Sequence, residues 1–156
     1  MLETYQTKLT DVLVWTAGAA FAASWFLPVL VDVPGWMAFR YALAPLVPYS
    51  DAGNLTWDDS IPQVLSALTN VVFVILFTLW VTKQELRPGL LVRITLACFL
   101  LNLYWFVKAW RDHGLSDLLV GYYVWQAAFA LLLSVAIIIA FASRQTSTTP
   151  TAGTPS

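Results

Sequence analysis

Four long stretches with almost no charge, residues 12–31, 61–82, 90–110 and 118–143, limit what this chain can become. A membrane-spanning helix needs ~20 mostly apolar residues, because the hydrocarbon is ~30 Å thick and each residue rises ~1.5 Å. In oil every peptide group must find its partner within the same segment, so a helix is the form open to each stretch. The composition agrees: 59% of residues are hydrophobic and 11% charged, where a soluble domain is nearer half apolar and about a quarter charged. The sequence therefore predicts an all-α integral membrane four-helix bundle over residues 1–144. An uncharged tail of Thr, Ser, Pro, Gly and Ala, residues 145–156, is expected to be disordered because it has too little apolar surface to fold.

The third stretch is the weakest. Its strictly uncharged part, 94–107, is short, and it reaches full length only if Arg93 and Lys108 extend their charged heads to the two interfaces. Local signals punctuate the others. Ser60 with Gln63 fits a capping box at the start of the second span. Arg87-Pro88-Gly89 separates the second from the third. Gly114 is placed to end the third, and Ser116 to cap the fourth, with Asp117 near its positive end. Phe21-Ala22-Ala23-Ser24 loosely resembles a signal-peptide cleavage site. Glu3 beside Lys8 and a run long enough to span favour a retained helix instead.

The basic residues set the expected orientation. With the N-terminus inside, Lys8, Lys83, Arg87, Arg93 and Arg144 are cytoplasmic, and Arg40, Lys108 and Arg111 are external. Both termini are then expected in the cytoplasm of a plasma (bacterial inner) membrane. Residues 32–60 form the one long connection. Its first part is too apolar for a free loop and too short to span, and Pro34 and Pro45 bracket a helix at about 34–45. Trp36, Phe39 and Leu43 recur there at helical spacing, which predicts a short helix lying in the outer interface or over the bundle. The second part, from Tyr49 through Trp57 to the acidic pair Asp58-Asp59, is polar and turn-rich.

Two patterns point to function. Most Trp and Tyr gather at the outer face, where an aromatic belt is the plain explanation. Belts normally form at both faces, and here only Tyr5, Trp15 and Trp80 mark the inner one. The sharper reading is a binding surface made by Trp25, Trp36, Phe39, Arg40, Tyr104, Trp105, Lys108, Arg111, Tyr122 and Trp125. The second pattern is a polar layer. Ser24, Asn70, Asn102 and Gln126 each lie eight or nine residues inward from an outer helix end, which is ~12–14 Å deep. They are expected to face inward and bond one another, either fixing helix register or flooring a pocket. Gly18, Ala19, Ala22 and Ala23 offer the first helix a close approach to a neighbour.

Chemistry is sparse. No ionisable group falls in the middle of a span, which argues against a proton relay or voltage sensor. The single cysteine, Cys98, and the single histidine, His113, supply no zinc spacing and no bis-histidine haem. No nucleophile, carboxylate pair or glycine-rich phosphate loop accompanies His113. Catalytic residues, metal ligands and cofactors are expected to be none, and no basic patch marks nucleic acid as a partner. Four spans with a larger first outer loop occur in several unrelated families, so topology does not assign function. The expected role is a non-enzymatic accessory subunit that docks to another membrane protein, or to itself, through the outer aromatic face among membrane lipids. The alternatives are a binder or carrier of a lipid-like or quinone-like molecule, and a small oligomeric channel or transporter.

Overall fold

The computed structural model describes residues 2–46, 57–84, 86–112 and 114–147, with side chains for 7–46, 60–84, 86–112 and 114–145. It is mostly helical. Five helices occur among the described residues: α1 (Leu2–Ser24), α2 (Gly35–Ala42), α3 (Trp57–Val81), α4 (Pro88–Arg111) and α5 (Val120–Ser147). A two-stranded antiparallel hairpin, β1 (Pro28–Leu30) and β2 (Val33–Pro34), follows α1. A single 3-10 turn at Leu115–Asp117 precedes α5. Three segments, Ser60–Val81, Pro88–Arg111 and Val120–Gln145, are long and apolar enough to cross a membrane, consistent with a multi-pass membrane protein.

The first helix differs from the expected 12–31. It starts at Leu2, since residues 2–11 contain neither glycine nor proline, and it stops at Ser24. Pro28 is the cause. It has no N–H to return to the Ser24 carbonyl, and its ring would clash with that carbonyl in a continued helix. The chain instead turns through Trp25 and Phe26 into the hairpin, whose tip holds Asp32 at a left-handed φ of 59°. Two bonds extend the pairing beyond the strands: Gly35 N–H to Leu27 O at 3.1 Å and Trp36 N–H to Trp25 O at 3.0 Å. The hairpin also docks on α5, where Leu119 N–H donates to Val29 O at 2.9 Å.

Two glycines make this approach possible. A Cβ on Gly35 would collide with the Ser24 carbonyl, and one on Gly121 would sit 2.7 Å from Pro28 O and 2.8 Å from Leu27 O. The short helix expected near 34–45 is α2, starting directly after Pro34 and giving way to turns over residues 43–46.

The other helices also begin or end differently from the sequence reading. α3 starts at Trp57, so Ser60 lies inside its first turn and is not its cap. Asp58 and Asp59 fall in that same first turn, where acidic residues complement the helix dipole. α5 starts at Val120, and Ser116 belongs to the 3-10 turn. At the far end α5 runs on to Ser147, so residues 145–147 of the expected tail are helical; Arg144 and Gln145 are both good helix formers. α4 starts at Pro88, so Pro88 and Gly89, expected in the break before it, lie in its first turn, where proline is tolerated; Lys83, after α3, is left-handed at a φ of 54°.

Aromatic rings fill the space between the helices. Phe21 of α1 stacks on Phe73 of α3, with centroids 4.1 Å apart, and Phe129 of α5 meets Phe73 edge-on at 5.2 Å. Such pairs add about 0.5–1.5 kcal/mol each beyond the area they bury. α1 and α4 both lie along α5. Ala17, Ala128 and Ala136 are fully buried. Gly18 lies against the Phe77 ring, whereas Ala19, Ala22 and Ala23 face outward from the bundle. Of the expected small-residue face, only Gly18 packs within this chain.

The two glycine positions make a paired test of the hairpin dock. Gly121→Ala should lower the melting temperature of the detergent-solubilised protein, since overpacking of this kind costs about 1–3 kcal/mol. Gly89→Ala, where an added Cβ meets nothing within 4 Å, should leave it unchanged or raise it. Equal melting temperatures for the two variants would contradict the docked hairpin.

Candidate functional site

The turn at Ser24, the hairpin and α2 roof the end of the bundle where α3 begins and α4 ends. Between them lies a partly open cavity of about 660 Å³. Its aromatic wall comes from four elements: Trp25 after α1, Phe39 and Tyr41 on α2, Trp105 on α4, and Tyr122 and Trp125 on α5. Trp25 and Phe39 rings lie 5.2 Å apart, and Tyr122 and Trp125 lie 6.0 Å apart. One face of α3 supplies the polar side through Gln63, Ser66 and Asn70, with Ala67 between. Their spacing, i, i+3, i+4, i+7, is one helical stripe.

Hydrogen bonds hold this floor. Trp125 Nε1–H donates to Asn70 Oδ1 at 2.8 Å. Asn70 Nδ2 reaches the Ala67 carbonyl of its own helix at 3.2 Å. Ser66 Oγ–H donates to Asn102 Oδ1 at 3.1 Å. Thr69 Oγ1 has one proton to give, to Ser66 O at 2.6 Å or to Asn102 Oδ1 at 3.1 Å. Tyr122 O–H donates to the Asn102 backbone carbonyl at 2.9 Å, and Gln126 Nε2 donates to Phe99 O at 3.3 Å.

The four residues of the expected polar layer therefore do not bond one another. Asn102 is paired with hydroxyls, Asn70 with an indole, Gln126 with a backbone carbonyl, and Ser24 Oγ with Phe21 O of its own helix at 2.7 Å. Each amide is instead met by a group on a neighbouring helix: Asn70 by the Trp125 indole, Asn102 by the Ser66 hydroxyl and Gln126 by the Phe99 carbonyl. Counting Ser24 along an unbroken helix also fails, because α1 ends at that residue. Ser24 and Asn70 line the cavity, while Asn102 and Gln126 do not. Asn102 is fully buried. Asn102 Nδ2 and Gln126 Oε1 are buried without a protein partner, a spare donor and a spare acceptor on facing helices.

Of the ten residues proposed for the outer surface, Trp25, Phe39, Trp105, Lys108, Tyr122 and Trp125 line the cavity. Trp36, Arg40, Tyr104 and Arg111 do not; all four are exposed. Tyr104 leans edge-on against Trp105 at 5.3 Å. Lys108 Nζ lies 5.8 Å from the Trp105 ring centroid, within cation–π reach. Asp112 and Asp117 join Lys108 at the rim. Arg111 pairs with Asp112 at 3.3 Å with both side chains mostly exposed, so that pair adds little stability. Gln63, Ser66 and Tyr41 also line the cavity without being among those ten; Tyr41 belongs to the outer aromatic cluster, and the spacing of Gln63, Ser66 and Asn70 already marks one face of α3. Tyr49 and His113 lie outside the described residues, as do the side chains of Trp57, Asp58 and Asp59.

Comparison with known protein families, with curated proteins and with solved structures finds no match in any of the three.

The Trp125–Asn70 bond can be measured directly. A double-mutant cycle with Trp125→Phe and Asn70→Ala, read by reversible unfolding in mixed micelles, should give a coupling of about 0.6–1.7 kcal/mol, the range of side-chain bonds in membrane bundles. Strict additivity would mean that this bond does not form.

Proposed function

We propose that this chain is a non-catalytic membrane protein that binds or carries an amphipathic molecule, lipid-like or quinone-like, in the cavity at its aromatic end. The observation that carries the reading is the combination of volume and lining. Ligand cavities of ~300–1,000 Å³ with mostly apolar walls and few polar groups are the usual form of small-molecule sites, and this one measures about 660 Å³. Flat apolar groups fit against Trp25, Phe39, Trp105 and Trp125. A polar end group of the ligand would meet Gln63, Ser66 and Asn70 on α3, or Lys108 at the rim. Asn102, buried and bonded inside the bundle, offers no wall to a water-filled path, which favours a binder over a channel.

The placement proposed is a plasma membrane of bacterial inner-membrane type, with α1 as a fourth crossing and both termini in the cytoplasm. Lys8, Lys83, Arg87, Arg93 and Arg144 then lie at the inner end. Arg40, Lys108 and Arg111 mark the outer one, which holds the cavity. An accessory role beside a larger membrane protein has its own support: Phe26 is 82% exposed and Trp110 65% exposed at that same end, so aromatic surface remains for a partner.

Mass spectrometry of lipid extracts from protein purified in mild detergent tests the proposal. A hydrophobic molecule should be retained by the unaltered chain. Trp105→Ala and Asn70→Leu should each reduce its occupancy about tenfold, equivalent to about 1.4 kcal/mol of lost contact. Retention unchanged in both variants, with helical content preserved, would remove the cavity as the site.

A further inference from the structure

At the opposite end of the bundle a second recess separates the first turns of α4 from the last turns of α5. Its volume is about 290 Å³. Gly89 and Arg93 line it from α4, and Ile137, Phe141 and Arg144 from α5. Gly89 and Arg93 stand one turn apart on one face, and the three α5 residues follow at i, i+4 and i+7 on another. We infer that this recess is a binding site for a membrane phospholipid with an anionic headgroup, independent of the outer cavity and of what that cavity holds.

Charge is the first argument. Two arginines from different helices border the recess, and among the described residues no carboxylate lines it. Guanidinium forks match phosphate oxygens geometrically and hold them with charge-assisted bonds. Depth is the second argument. The uncharged part of α4 begins only at Ile94, so Arg93 sits where hydrocarbon gives way to headgroups. A cation at that level is costly unless an anion or water meets it, and a lipid phosphate lies at the same level.

The remaining lining explains why the anion is a lipid and not a free phosphate. Below the arginines the recess is apolar, and its groups are still uncovered: Phe141 is 61% exposed and Ile137 39% exposed. An acyl chain lying along α5 would cover both. The recess is also open at Gly89, where an added Cβ meets no atom within 4 Å. Finally, Gly89 is in the first turn of a 24-residue helix, so the positive end of the α4 dipole adds to the two guanidiniums.

The test uses the full chain in a neutral detergent, titrated separately with phosphatidylglycerol, phosphatidylcholine and inorganic phosphate and followed by native mass spectrometry. Phosphatidylglycerol should bind at least about fivefold tighter than phosphatidylcholine, the effect of roughly one well-placed basic residue. The double variant Arg93→Gln/Arg144→Gln should abolish the preference. Gly89→Phe keeps both charges and projects into open space, so it should lower phosphatidylglycerol binding without loss of helical content. Val31→Ala, on the exposed hairpin at the other end of the molecule and outside both linings, should leave the preference intact. Equal binding of the two lipids, or a preference that survives the double variant, would overturn the inference. So would inorganic phosphate that binds at the recess and displaces the lipid at comparable concentration, since it would mark a site for free anions.

Discussion

Pro28 has no backbone N–H, and its ring occupies the space a continued helix would need beside the Ser24 carbonyl. The architecture of the aromatic end follows from that one obstruction. An apolar chain forced out of its helix still has to pair its peptide groups. Here it does so by folding back: Trp25 and Leu27 carbonyls accept from Trp36 and Gly35, and the Val29 carbonyl accepts from Leu119. The hairpin is thus tied to α2 on one side and to α5 on the other. The segment that would otherwise have completed a straight first helix becomes part of a roof, with space left beneath it.

What fills the walls of that space follows from the next constraint, that polar side chains among apolar helices must be paired. α3 turns Ser66, Thr69 and Asn70 inward; Asn102 of α4 accepts from Ser66, Trp125 of α5 donates to Asn70, and Tyr122 of α5 donates to the Asn102 backbone carbonyl. This pins three helices at one level and leaves an aromatic surface above it. The opposite end has a different character. There Trp80 Nε1–H donates to Asp11 Oδ1 at 3.2 Å, and the arginines Arg93 and Arg144 border a small apolar recess. The two ends therefore present different chemistry, aromatic and amide at one, guanidinium and aliphatic at the other.

Much of this was legible in the residues. Apolar runs of spanning length marked α3, α4 and α5. Pro34 and Pro45 bracketed α2, and Arg87-Pro88 divided α3 from α4. The hairpin was not legible from hydropathy, because Val29, Leu30 and Val31 continue the apolar run of α1, and such a run reads the same as helix or strand. Pro28 is the one local signal of the break, and a proline alone does not end a membrane helix, because neighbouring groups can re-satisfy the backbone around it. The partners of the amides were hidden for another reason. Spacing places Asn70, Asn102 and Gln126 at similar depth, yet the choice between amide, hydroxyl, indole and carbonyl partners depends on helix rotation, which spacing along one chain does not give.

Thiol accessibility in intact cells addresses most directly the proposal that the cavity at the aromatic end of the bundle opens outward from a membrane. In a Cys98→Ala background, Ala38→Cys and Ala42→Cys place a thiol in the cavity lining, and Ala136→Cys places one in the fully buried core. The account predicts that a membrane-impermeant maleimide added outside labels the first two and spares the third. Labelling of the cavity positions only after the inner face is exposed, or no labelling of them at all, would contradict it.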